Sequence, residues 1–213
     1  MLDYDLSLYL VTDRGYIGDR DLRDVVDQAV KGGVTIVQLR EKEVSTREFI
    51  ELALNIKNDL KAKNIPLIIN DRVDVAMAVK ADGVHLGQED MPVEMAREIM
   101  GEDYIIGLSI ENMDQLREAE NKDIDYIGLS PLFVTETKPE LNHQWGLEGL
   151  QQAARETSHK IVAIGNIDAD NAARVIQSGA RGVAVVSAIC ASSDPQAAAK
   201  SISKEIRRAK AER

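Results

Sequence analysis

This chain of 213 residues holds a single cysteine, Cys190. An intramolecular disulfide is excluded, and so is a thiolate metal cluster built within one chain. Histidine is nearly as scarce, with three copies at His85, His143 and His159. No zinc-ligand spacing joins them, and no Ser-His-Asp or Cys-His arrangement stands out. Positive charge is in deficit, at a formal net charge of −10. Over long range such a chain repels nucleic acid and anionic membrane, so any anion site must be a local basic cluster. That argues against a nucleic-acid binder and leaves room for a phosphorylated small substrate. No apolar run approaches membrane-spanning length. The opening MLDYDLSLYLVTDR lacks the basic start and long apolar stretch of a secretory signal. A cytoplasmic enzyme is the expected class.

What is present suits a packed core. Hydrophobic residues make up 44% of the chain and charged residues 29%, a balance far from that of disordered chains. Short β-branched runs alternate with amphipathic stretches. The strands expected are Leu8–Val11, Thr35–Leu39, Pro66–Ile69, Gly83–Leu86, Ile105–Leu108, Tyr126–Leu129, Ile161–Ile164 and Gly182–Val186. All are apolar throughout rather than alternating, as strands buried on both faces are. Each gap but one is long enough for a crossover helix. Leu22, Val25, Val26, Ala29 and Val30 fall at helical spacing, and Gly32-Gly33 ends the run. Ala169, Ala172, Ala173 and Ile176 repeat the pattern before Gly179.

A weak internal repeat points the same way. KGGVTIVQLR, KADGVHLGQ and QSGARGVAVVS each read as helix end, glycine, then a Val-rich strand, so the repeating unit is one βα unit. Eight such units predict one α/β domain over residues 1–213, a closed (β/α)8 TIM barrel. A doubly wound open sheet is the alternative, but it needs fewer strands, and no strand is followed by a glycine-rich dinucleotide fingerprint.

A barrel of this kind carries its active site at the carboxyl ends of the strands. After the second strand, alternation puts Gln38, Arg40 and Lys42 on one side and Leu39 on the other. Two cations and an amide pointing together suit a diphosphate, with Arg as a planar fork and Lys as a point charge; a solvated strand end is the plainer reading. Asn70-Asp71 follows the third strand and Gly87-Gln88-Glu89-Asp90 the fourth. Asp71 and Asp90 therefore face one another across neighbouring strands, and two carboxylates beside a diphosphate suit Mg²⁺. Capping of the following helices is the alternative use for both.

The sixth connection, from Ser130-Pro131 to near Trp145-Gly146, is the one long stretch without a strand or helix pattern. Long loops in compact domains are usually functional. Thr135, Thr137 and Lys138 bring two hydroxyls and a cation to it, and a loop here could close over a substrate. A plain surface loop is the other reading. Gly165-Asn166 follows the seventh strand and Val186-Ser187 the eighth. Backbone N–H groups at these positions make the usual barrel phosphate site, unless Gly165 is merely a tight turn. His85, inside an apolar strand, reads as a hydrogen-bonded core residue, His143 and His159 as loop or surface residues, and Cys190 as a buried thiol.

YLVTDR, QLREK, INDRVDVA, ADGVHLGQEDMP, FVTETK, VAIGNI and VVSAI occur in this order over nearly the whole chain. Together they closely resemble the thiamine-phosphate synthase (thiamine-phosphate pyrophosphorylase) family. The resemblance implies a transferase of thiamine biosynthesis. It would condense 4-amino-2-methyl-5-pyrimidinylmethyl diphosphate with a thiazole phosphate, carboxylated or not, to thiamine phosphate, and release pyrophosphate. It implies that Gln38, Arg40, Lys42 and Asn70 hold the pyrimidine diphosphate, joined by Ser109 and Lys138. Arg40, Lys42 and Lys138 would be the catalytic cations. Asp71 and Asp90 match the Mg²⁺ ligands. Thr135, Thr137, Gly165, Asn166, Val186 and Ser187 match the thiazole-phosphate site. The chain departs from the family pattern at Asn166, where glycine is usual, at Glu111, where histidine is usual, and at Ser130, where a glycine precedes the proline. A related thiazole tautomerase and a non-catalytic phosphate-ligand sensor are the competing functions. The expected partners are these small molecules, with a homo-oligomer possible.

Overall fold

The computed structural model describes residues 4–133 and 144–212. Thr135, Thr137, Lys138 and His143 lie outside the described residues. Eight parallel strands close into a barrel in the order of the chain: β1 (Leu8–Val11), β2 (Ile36–Leu39), β3 (Leu67–Asn70), β4 (Gly83–Leu86), β5 (Ile105–Ile110), β6 (Tyr126–Leu129), β7 (Lys160–Ile164) and β8 (Gly182–Val185), with β8 pairing back onto β1. The expected strands all form, with ends shifted by no more than two residues. The open-sheet alternative falls, because closure pairs the first strand with the last and leaves no edge.

The apolar runs follow from burial on both faces. Outward side chains such as Leu10, Val37 and Ile69 join a large core shared with the surrounding helices. Inward ones form a smaller core inside the barrel, with Tyr9, Ile36, Ile68, Ile105, Tyr126 and Val162 among them. A neighbour on each side rules out the polar-apolar alternation of a one-faced sheet.

The helices obey local rules. α1 (Arg14–Ile17) is a single turn capped by Asp13, and α2 (Leu22–Lys31) buries Leu22, Val25, Val26 and Ala29 before Gly32 ends it. α3 (Thr46–Lys61) starts at a capping box between Ser45 and Glu48, which satisfies two otherwise unpaired N–H groups. α4 (Val73–Val79), α5 (Val93–Met100), α6 (Met113–Ala119), α7 (Gly146–Glu156) and α8 (Ala172–Gln177) cross between the later strands. A short α9 (Ser187–Cys190) and a long α10 (Pro195–Ala211) complete the ring, α10 packing on α2 and α8. The chain leaves β6 through a cis Ser130–Pro131 bond. The Leu132 N–H then bonds the Ile164 carbonyl, and Trp145 and Gly146 bond the carbonyls of Pro131 and Leu132. The two ends of the sixth connection are thus pinned together beside β7. Among the described residues no helix is long and apolar enough to cross a membrane.

Candidate active site

The strand ends open into one cavity. Its lining includes Gln38, Arg40, Asn70, Ser109, Gly165, Asn166, Val186 and Ser187, all of them marked out by the sequence. Strand alternation turns Gln38, Asn70 and Ser109 inward, and the turns just beyond the strand ends bring Arg40, Gly165, Asn166, Val186 and Ser187 to the same cavity. Ser109 lies within β5 rather than after it, because that strand runs to Ile110.

Lys42, Asp71 and Asp90 occupy the loops after β2, β3 and β4, outside the cavity lining itself. The Asp71 N–H bonds the His85 carbonyl at 2.8 Å. That bond lays the β3 loop along β4. Asp71 takes a left-handed φ of 62° there, a conformation Asp tolerates better than most residues. Its carboxylate accepts from Lys42 Nζ at 2.5 Å. Asp90 Oδ2 accepts from the Gly87 N–H at 2.7 Å. Neither carboxylate caps the helix beyond it, since the N-cap residues of α4 and α5 are Arg72 and Pro92, with no side-chain cap bond at either. The capping reading is therefore not realised, and both side chains stay with the mouth. Burial raises the Asp90 carboxyl above its usual range; the Gly87 N–H opposes this, and the hydrogen bond and charge of neighbouring Asp71 add to it. Two carboxylates this close repel unless a proton or cation sits with them.

Arg40 Nη1 meets Asp13 Oδ2 at 2.8 Å, while its N–H bonds Thr12 Oγ1 at 3.0 Å. The guanidinium is therefore aimed from β1. Asp13 is not among the residues singled out from the sequence, although the strand-end rule applies to β1 as much as to β2. The cavity floor adds Tyr9, His85 and Tyr126. His85 is hydrogen-bonded as expected, with Nδ1 at 2.9 Å from the Tyr126 hydroxyl and Nε2 at 2.9 Å from Ser109 Oγ, and it also faces the cavity. Tyr9 and Tyr126 read in sequence only as strand residues. Burial pushes both phenols well above their ordinary range, so they act as neutral hydroxyls.

Across the cavity, Gly165 and Asn166 both have positive φ, 124° and 49°. A Cβ at Gly165 would sit 2.8 Å from the Leu132 nitrogen, so only glycine lets the sixth connection approach. Asn166 adopts the left-handed conformation that its place in the turn requires, and its carbonyl accepts from Asn171 Nδ2 at 2.9 Å. This turn does not itself open a helix, since α8 begins at Ala172. Val186-Ser187 does lead directly into α9. Cys190 is fully buried, with its thiol pushed up to about 11 by burial, the state of a structural thiol rather than a nucleophile. His159 bonds the Ala119 carbonyl at 3.0 Å, away from the cavity. Among the described residues no group of three or more His, Cys, Asp or Glu could hold a metal, so a cation here would rest on the Asp71–Asp90 pair and on oxygens brought by a ligand.

A closed parallel barrel with a polar mouth, cations and carboxylates on one side and backbone turns on the other, has the layout of a (β/α)8-barrel enzyme with its site at the carboxyl ends of the strands. The chain belongs to the thiamine monophosphate synthase family, whose model matches residues 8–189. It is 54% identical over 196 residues to thiamine-phosphate synthase of Vibrio campbellii, covering 91% of this chain and 94% of that one. It is 52% identical over 194 residues to thiamine-phosphate synthase of Albidiferax ferrireducens, covering 91% and 89%. The structure matches thiamine phosphate pyrophosphorylase from Pyrococcus furiosus with a TM-score of 0.88 at 37% identity, over 96% of each chain. As a member of this family the protein is a transferase of thiamine biosynthesis.

Proposed function

We propose that the protein joins 4-amino-2-methyl-5-pyrimidinylmethyl diphosphate to a thiazole phosphate, giving thiamine phosphate and pyrophosphate. The observation that carries this reading is the division of the mouth. Arg40, Lys42, Asp71 and Asp90 gather at the ends of β2 to β4, and the Gly165-Asn166 and Val186-Ser187 turns lie at the ends of β7 and β8. A diphosphate end and a monophosphate end at one barrel mouth suit a joining reaction better than an isomerisation of a single phosphate.

In the reaction the methylene–oxygen bond breaks and its electron pair leaves with the diphosphate. The aminopyrimidine delocalises the positive charge left on the methylene carbon. The thiazole nitrogen then supplies the electron pair for the new carbon–nitrogen bond. No protein nucleophile is needed. Arg40 and Lys42 stabilise the negative charge growing on the leaving oxygens, and Lys138 joins them from the sixth connection. Gln38, Asn70 and Ser109 orient the pyrimidine, which turns an encounter into a positioned pair. Thr135, Thr137 and the backbone of Gly165-Asn166 and Val186-Ser187 hold the thiazole phosphate.

Asp71 and Asp90 fit Mg²⁺, a hard ion that takes one or two carboxylates and completes its shell with water and phosphate oxygens. When bound there, Mg²⁺ supplies charge neutralisation to the diphosphate. Lys42, now on Asp71, is then free to turn to the substrate.

Purified protein given both substrates and Mg²⁺ should release pyrophosphate and thiamine phosphate in equal amounts. Folded, metal-supplied protein that makes neither product would overturn the proposal. Isomerisation of the thiazole substrate without the pyrimidine would favour the tautomerase instead.

A further inference from the structure

Five side chains on the cavity floor form one unbroken chain of hydrogen bonds drawn from five strands. Gln38 Nε2 donates to the Tyr9 hydroxyl at 2.9 Å. The Tyr9 and Tyr126 hydroxyls lie 2.7 Å apart. Tyr126 meets His85 Nδ1, and His85 Nε2 meets Ser109 Oγ, both at 2.9 Å. Both ends, Gln38 and Ser109, face the cavity.

A phenol has one hydrogen to give. Tyr9 is 1% exposed and Tyr126 is 0% exposed, so neither has solvent to take it. Gln38 already donates to Tyr9, so the Tyr9 hydrogen goes to Tyr126. The Tyr126 hydrogen then goes to His85 Nδ1. That nitrogen must be unprotonated, which places the ring proton of a neutral imidazole on Nε2. Nε2–H donates to Ser109, and the Ser109 hydrogen is turned toward the cavity. Reversing one link alone leaves a buried hydroxyl hydrogen without an acceptor, two phenol oxygens in contact with no hydrogen between them, or a ring with no proton, so with a neutral ring the chain changes sense as a whole or not at all.

We propose that Tyr9, Tyr126 and His85 are positioning residues that fix the sense of this chain, so that Ser109 meets its ligand as a hydrogen-bond donor and Gln38 keeps its carbonyl oxygen as an acceptor. The ligand that fits presents an acceptor to Ser109 and a donor to Gln38. The consequence for turnover rests on the substrate reading above. The sense of the chain itself does not, because it is a property of the ligand-free protein.

The test is nitrogen NMR of the histidine rings in ligand-free protein labelled with 15N-histidine at neutral pH. Three histidines are present in the chain, and the His143→Gln and His159→Gln variants assign the remaining signals to His85. The expected result is an unprotonated Nδ1 and a protonated Nε2. A proton on Nδ1, or on both nitrogens, would overturn the proposal. Gln38→Glu then replaces the amide donor at the start of the chain by a carboxylate, which only accepts. The Tyr9 and Tyr126 hydrogens turn round with it, and the His85 Nδ1 signal should move from the unprotonated toward the protonated position, with the rest of the amide spectrum retained. An unmoved signal in that folded variant would show that the ring is set locally, and the chain would carry no direction. Failure to form thiamine phosphate would overturn the proposed reaction without touching either result.

Discussion

Arg40 on the end of β2 and Asp13 on the end of β1 form an ion pair, Nη1 to Oδ2 at 2.8 Å, with the two side chains 33% and 20% exposed. The contact crosses a strand boundary, so the guanidinium is held by the barrel wall rather than by its own loop. Asp13 has a second duty, because its Oδ1 accepts from the Gly15 N–H and caps α1.

Asp13→Asn keeps the cap and the shape but removes the charge. A partly exposed pair contributes up to about 1 kcal/mol. The KM for the pyrimidine diphosphate should therefore rise about two- to fivefold, with kcat little changed. Steady-state kinetics at saturating thiazole phosphate checks this. A fall in KM would mean that Asp13 competes with the diphosphate for Arg40 instead of aiming it.

Asp71→Asn should raise the Mg²⁺ concentration needed for half-maximal rate by at least roughly tenfold, because one of two carboxylates is lost. It also breaks the pair with Lys42, so Lys42→Met is the companion variant. That change should raise the KM for the diphosphate substrate and leave the metal dependence where it was. If Asp71→Asn leaves the Mg²⁺ titration unmoved, Asp71 is no ligand.

Asn166 sits at a φ of 49°. Asn166→Gly should leave stability within about 0.5 kcal/mol of the parent, since glycine adopts this region freely. Asn166→Val should cost about 1–2 kcal/mol, the penalty of a Cβ-branched residue in the left-handed region. Urea unfolding reads both. The same Val variant should raise the KM for the thiazole phosphate, because the turn faces the cavity.

Gly107 on β5 lies under the aromatic floor. A Cβ there would stand 2.2 Å from Tyr126 Cζ and 2.5 Å from His85 Nδ1. Gly107→Ala should destabilise the fold by about 1–3 kcal/mol, the usual cost of overpacking. The rings must shift to admit the methyl group. A thermal unfolding midpoint equal to the parent's would show that the floor has slack.

The order and type of the elements were legible because burial writes itself into local pattern. A strand covered on both faces must be apolar at every position, and a helix lying on a barrel must be apolar at every third or fourth. The strand-end residues were legible too. Once eight βα units are counted, parity alone decides that Gln38 and Arg40 face inward while Leu39 faces the helices. Asn166 could be read as a left-handed residue from its chemistry.

What the chain does not write locally is which distant residues meet. Tyr9 and Tyr126 are 117 positions apart, and nothing in either segment marks its partner. Their contact exists because closure of β8 onto β1 leaves an interior narrow enough for the two phenols to touch. Nothing in the sequence around Asp13 ties it to Arg40, and it becomes the holder of that guanidinium only when β1 and β2 pair. His85 looks like a core histidine, and only the closed barrel shows it joined through both nitrogens to Tyr126 and Ser109. Local periodicity determined the barrel and the lip of its mouth. Tertiary closure decided the hydrogen-bonded floor, because the direction of a hydrogen bond depends on the next donor along the chain, and here that donor always belongs to another strand.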